Sequence, residues 1–115
     1  MTRVVINPGV CGLISTIEVE RADKRNVRIV TVSDCEMVAE LGKSISEVGL
    51  WDVMKQIIDS VVYQAASSCG MHAACPVPSA IIKAVEVEAG MALPRDVVIH
   101  FERPGKDSER DRRIV

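Results

Sequence analysis

The chain of 115 residues is one domain's length, and 48% hydrophobic residues supply a core that is almost wholly aliphatic, with one Trp, one Tyr and one Phe. A formal net charge of −2 gives no bulk attraction to nucleic acid or an anionic membrane, and 3% aromatic residues leave no platform for stacking bases. No apolar run nears the roughly 18 residues of a membrane span. Met1-Thr2-Arg3 also leads straight into an apolar strand pattern without the parts of a secretory signal, so a cytoplasmic location is expected.

In chain order, Arg3–Ile6 predicts a short strand ended by the Asn7-Pro8-Gly9 turn. Residues 13–20 alternate, with Ile17 and Val19 on one face and Glu18 and Glu20 on the other. The polar stretch 21–25 separates this run from the β-branched residues 26–32, which predicts an antiparallel hairpin. At Ser33 the period becomes helical. Ser33-Asp34-Cys35-Glu36 fits a capping box with Ser33 as N-cap, and Met37, Val38, Leu41 and Ile45 follow, with Gly42 weakening the segment and Gly49 ending it. Leu50, Val53, Met54, Ile57, Ile58, Val61, Val62 and Ala65 predict one helix of four turns, with Trp51 as a core anchor at its start.

The loop 67–78 comes next. Pro78 suits the first turn of a helix that continues through Ala80, Ile81, Ala84, Val85 and Glu88 to a C′ residue at Gly90. Pro94-Arg95 leads into a last strand over 96–102, and the charged stretch 103–115 is expected to be a disordered tail outside a single domain of residues 1–102. The order β-β-β-α-α-α-β implies an α+β fold, a small antiparallel sheet with helices packed on one face.

Five soft donors stand at turns and helix starts. Cys11 lies in the Gly-flanked turn Pro8-Gly9-Val10-Cys11-Gly12, where the backbone allows close approach of a ligand. Cys35 lies at a helix N-terminus, where free N–H groups and the helix dipole favour a thiolate. Cys69, His72 and Cys75 follow at spacings of three in a polar, Gly- and Pro-punctuated loop, the kind of segment that lets soft-metal ligands converge. In a reducing compartment such a cluster reads as metal or redox chemistry and not as a disulfide framework. The expected site is an iron–sulfur cluster or zinc held by Cys11, Cys35, Cys75 and either Cys69 or His72.

His100, in the last strand, reads as a surface or packed residue. Met37, Met54 and Met71 read as packing residues, and Glu18/Glu20 and Glu86/Glu88 as solvated faces. There is no Ser–His–Asp arrangement, phosphate loop or dinucleotide fingerprint, so a binding protein is expected sooner than an enzyme.

The order and setting of these residues resemble the IscU/NifU N-terminal family of iron–sulfur scaffold proteins. Cys11-Gly12 ahead of a hairpin is similar to the family's first Cys-Gly turn. Cys35, at a helix start after the hairpin, is similar to its second cysteine. His72 and Cys75 before Ala80-Ile81-Ile82-Lys83-Ala84 are similar to its last His and Cys ahead of a late helix. The resemblance covers about residues 1–90 and implies cluster binding, with a protein partner for cluster transfer. The chain departs from the family at Leu13, where an Asp associated with a labile cluster is usual, in the two alanines between His72 and Cys75, and in the extra Cys69.

Locally, Cys75-Pro76-Val77-Pro78 is also similar to the Cys-Pro-x-Pro of TusA-type sulfur carriers. It implies a second reading, a sulfur-relay or redox protein with Cys75 as nucleophile and Cys69 as resolving thiol. A third is an interaction module whose cysteines only pack and whose exposed sheet edge is open to pairing in a dimer.

Overall fold

The computed structural model describes residues 1–104. Strands β1 (Thr2–Ile6), β2 (Ser15–Arg21) and β3 (Asn26–Ser33) are followed by helix α1 (Glu36–Ser44) and a short strand β4 (Glu47–Gly49). Two 3₁₀ turns (Leu50–Met54 and Ile57–Asp59) and helices α2 (Val61–Ser68) and α3 (Val77–Glu88) complete the order. The four strands form one antiparallel sheet in the order β1-β2-β3-β4. The fold is therefore α+β, with a four-stranded antiparallel sheet and three helices.

The period-2 pattern decides which sheet face is covered. Ser15, Ile17 and Val19 of β2 and Val27 and Ile29 of β3 point inward and are buried, whereas Val5, Val30 and Val32 point the other way and are exposed. The predicted hairpin forms with Arg21 opposite Val27. Its turn is held by the Asp23 carboxylate, which accepts the N–H groups of Arg25 (2.8 Å) and Asn26 (2.9 Å). These backbone bonds, with the Asn26 side chain, hold the Asp23 carboxyl below its ordinary pKa.

Helix α3 lies over β1 and β2, α1 lies over β3, and α2 packs beside both helices. Ile17, Leu41, Ile81 and Val85 are fully buried between the layers. Gly42 lets α1 approach the sheet. A Cβ there would lie 2.7 Å from Thr31 Cβ, so the residue that weakens helix propensity is the one that permits the packing.

Glu88 is not on a solvated face. One of its oxygens accepts the Thr2 hydroxyl (2.7 Å), the other the Arg21 N–H (3.3 Å), and the N-terminal ammonium lies 3.5 Å away. The Thr2 hydrogen bond is the main cause of a lowered Glu88 pKa, partly opposed by burial. This carboxylate ties the end of α3 to the ends of two strands.

Several expectations need correction. Residues 50–65 are not one helix: Lys55, Gln56 and Ser60 have extended ψ angles of 166°, 159° and 125°, which break it into two 3₁₀ turns and α2. Ser60 caps α2 by accepting the Tyr63 N–H. Trp51 is 73% exposed, so it anchors no core; Val53 and Val62 fill the interior at this level.

Ser33 is the last residue of β3 and not the helix cap; Cys35 occupies the N-cap position of α1 and has no side-chain cap bond. The fourth strand comes from residues 47–49. Residues 96–102 lie in neither helix nor strand and are exposed throughout, and no strand among the described residues pairs with them. Of the expected tail, residues 105–115 lie outside the described residues. No helix among the described residues is long and apolar enough to cross a membrane.

Candidate functional site

Three chain segments arrive at one end of the sheet. The first is the β1–β2 connection. Its turn is closed by the Gly12 N–H donating to the Gly9 carbonyl (2.9 Å), with both glycines at positive φ, and it carries the exposed Cys11 at its tip. The second follows β3. Ser33 Oγ accepts the Cys35 N–H (3.0 Å) and lies 2.7 Å from Ser15 Oγ, so one cross-strand hydroxyl pair holds both the exit of the Cys11 loop and the entry to Cys35.

The third segment starts where α2 ends. Gly70, at φ 74°, donates to the Ser67 carbonyl (3.0 Å), and Met71 N–H donates to the Ala66 carbonyl (3.1 Å). This Schellman closure turns the chain back so that Met71 packs against the core, with His72 directly after it. The Cys75 N–H then donates to the His72 carbonyl (3.2 Å), and α3 begins behind Pro76 with Pro78 in its first turn, as expected.

A cavity of about 100 Å³ lies between these segments, lined by Cys11, Cys35, His72 and Cys75 together with Met37 and Met71. Pro8, Leu13, Val38 and Val77 complete its wall, and no carboxylate lines it. Four of the five predicted donors thus share one cavity. Cys69 does not line it; it is the C-cap of α2, half-buried against the core. Cys35 and Cys75 lie at or just before the N-termini of α1 and α3, the positive ends of the helix dipoles. His100 is exposed, far along the chain from this cavity in sequence.

The donors surround a space and do not crowd one point. Among the described residues, no group of three or more His, Cys, Asp and Glu side chains is arranged to hold a metal ion.

Spacing alone did not single out Met37 and Met71. Their thioethers add two soft sulfur atoms to the lining, and only the fold, by placing the first turn of α1 beside the 70–76 loop, brings them there. The Ser15–Ser33 pair was missed too. Two serines 18 residues apart carry no motif until the hairpin register sets them opposite each other. A larger cavity of about 280 Å³ lies between the second 3₁₀ turn, α2 and α3, but Val53, Lys55, Ile57, Tyr63, Lys83 and Glu86 give it a mixed-charge, thiol-free lining.

A family model for a family of unknown function, DUF6951, matches residues 2–101. The chain belongs to the DUF6951 family. Its model spans β1 to Phe101, so all four cavity-lining donors lie inside the DUF6951 region, as does the exposed segment after α3. No curated protein and no solved structure matches the chain.

Proposed function

We propose that this protein binds an iron–sulfur cluster or a thiophilic metal ion in the cavity formed by Cys11, Cys35, His72 and Cys75. The observation that carries this reading is that four soft donors, from three segments far apart in sequence, line one small cavity without a carboxylate. Thiolates supply softness and charge, and the N-terminal ends of α1 and α3 offset that charge.

Of the two occupants, a cluster is favoured. A single zinc ion needs its donors within about 2.3 Å of one point. Donors spread around a cavity suit a group that brings its own volume of iron and sulfide. This reading agrees with the layout shared with the IscU/NifU N-terminal family. Leu13 stands in the cavity wall where that family usually has the Asp associated with a labile cluster, so holding a cluster is a closer fit than rapid release.

The test is anaerobic purification or reconstitution with iron and sulfide, followed by elemental analysis and visible absorption. The expected result is stoichiometric iron and sulfide, lost in Cys35→Ser and Cys75→Ser and retained in Cys69→Ser. Protein that takes up neither iron nor zinc stoichiometrically would overturn the proposal.

A further inference from the structure

Residues 96–102 carry the composition and alternation of a strand but lie in neither helix nor strand in the single chain. Gly90, at φ 76°, donates to the Val87 carbonyl and Met91 N–H to the Glu86 carbonyl, which closes α3 and releases the chain beside the start of β1, where Glu88 holds Thr2. From there residues 91–104 are exposed throughout. Val97, Val98, Ile99 and Phe101 are 60%, 80%, 73% and 88% exposed, a density of bare apolar side chains that a folded surface does not normally leave uncovered.

Their pattern is that of a strand with one apolar face: Val97, Ile99 and Phe101 alternate with Val98, His100 and Glu102. The molecule measures 53 × 29 × 25 Å with a radius of gyration of 15.8 Å, above the roughly 13 Å of a compact chain of 100 residues. The segment is therefore an arm. It belongs to the shared family region, which extends to residue 101.

The same chain carries an edge that fits it. Among the described residues β1 pairs only with β2, which leaves its outer edge open to a further strand over Thr2–Ile6. The opposite edge offers only the three residues of β4, which end in a glycine, and the last four of β3, Val30 to Ser33, each stretch shorter than the five residues of β1. On β1, Val4 and Ile6 face the helix layer and Val4 is only half-buried, so the inner layer is incomplete along this edge.

We infer that the protein is a two-fold dimer in which residues 96–101 of each copy add a fifth strand to the β1 edge of the other. Val97, Ile99 and Phe101 then continue the inner layer of the receiving copy beyond Val4 and Ile6. Residues 91–102 of each arm and the receiving strand Thr2–Ile6 give 17 residues a side, approaching the roughly 20–30 of a stable interface. Such strand addition takes its affinity from main-chain hydrogen bonds and its register from alternate side chains. The inference is independent of what the cavity binds.

Sedimentation equilibrium and amide hydrogen exchange on the full chain test it, with the double variant Ile99→Asp/Phe101→Asp as comparison. Both residues are exposed in the single chain, so the variant still folds, with far-UV circular dichroism that loses no more than the signal of the added strands. The expected wild-type mass at micromolar concentration is twice 12.5 kDa. The expected dissociation constant of the variant is about 100-fold weaker or more, and its Thr2–Ile6 amides exchange faster than those of the wild type. A wild-type chain that stays monomeric overturns the inference, as does a variant that dimerises undiminished. Loss of the dimer with unchanged exchange in β1 overturns the assignment of the edge.

Discussion

Replacing Ser33 by alanine should damage the protein in two places at once. Ser33 Oγ accepts the Cys35 N–H at 3.0 Å and shares a 2.7 Å hydrogen bond with Ser15 Oγ, and Ser15 is fully buried. In Ser33→Ala the Ser15 hydroxyl stays in the interior without its partner, a loss of about 1–3 kcal/mol. The Cys35 N–H, at the start of α1, loses its acceptor for about a further 0.5–1 kcal/mol, limited because water can reach it. A total near 2–3 kcal/mol lowers the melting temperature of a domain this size by about 8–12 °C.

Ser15→Ala removes only the shared bond and leaves Ser33 free to hold Cys35, so it should cost about 1 kcal/mol. Thermal and urea unfolding of both variants and of the double variant measure these terms and their coupling. The same Ser33→Ala protein should bind iron or zinc about 10–100-fold more weakly, since the cysteine has lost the contact that orients its backbone. Equal costs for the two single variants, or a Ser33→Ala protein within about 0.5 kcal/mol of wild type, would refute the reasoning that this hydroxyl links the two cysteine-bearing segments.

Other substitutions read different parts of the fold. Thr31 Oγ1 is buried without a hydrogen-bond partner, so Thr31→Val should raise stability by about 1 kcal/mol, seen as a higher urea midpoint with unchanged slope. Gly42→Ala should lower stability by about 1–3 kcal/mol although it improves helix propensity, because its Cβ meets Thr31 at 2.7 Å; a stabilised variant would mean that α1 can shift freely. Trp51→Ala should change stability by less than about 1 kcal/mol, against the roughly 3–5 kcal/mol expected for a core aromatic, and calorimetry separates the two cases. The pKa of Glu88 is lower in the folded than in the unfolded chain, chiefly through Thr2, so its contribution is full above the unfolded value and disappears as pH falls through the folded one. Glu88→Gln should therefore be less stable than wild type near neutral pH and equal to it at strongly acidic pH, which denaturation series at both pH values will show.

The five donors were candidates by residue type and layout, with Cys69 and His72 left as alternatives, whereas the hairpin and α3 with its proline start and Gly90 end were legible in the sequence. Each rests on local rules of alternation, helix period and turn chemistry, and the antiparallel topology then brings the thiols to one end. Residues 50–65 misled because a period count treats every apolar residue as core. Here Trp51, Met54, Ile57 and Ile58 keep the helical spacing yet face outward, while the capping signal of Ser60 marks the true start of α2. β4 has three residues, one of them glycine, and exists only because β3 is there to pair with it. Residues 96–102 make the complementary point: strand composition states a capacity for pairing, and whether the partner lies in the same chain is not written in the segment itself.

The chain distances between the cavity's cysteines set when such a site can exist. Cys11 and Cys35 are 24 residues apart, and Cys35 and Cys75 are 40 apart, so among the cavity's donors only His72 and Cys75 are near neighbours in the chain. In a finger-type loop the ligands are neighbours, and metal capture can precede and drive folding. Here two long loops must close first, and the hairpin, the α1 crossing and the turn after α2 must all be in place before the donors face one another. On the proposed function the unfolded chain would compete weakly for the ligand, and nearly the whole binding free energy would appear as added stability of the native state. Occupancy would then also be a readout of complete folding: a nascent or damaged chain lacking any one of the three segments would leave the factory without its cargo.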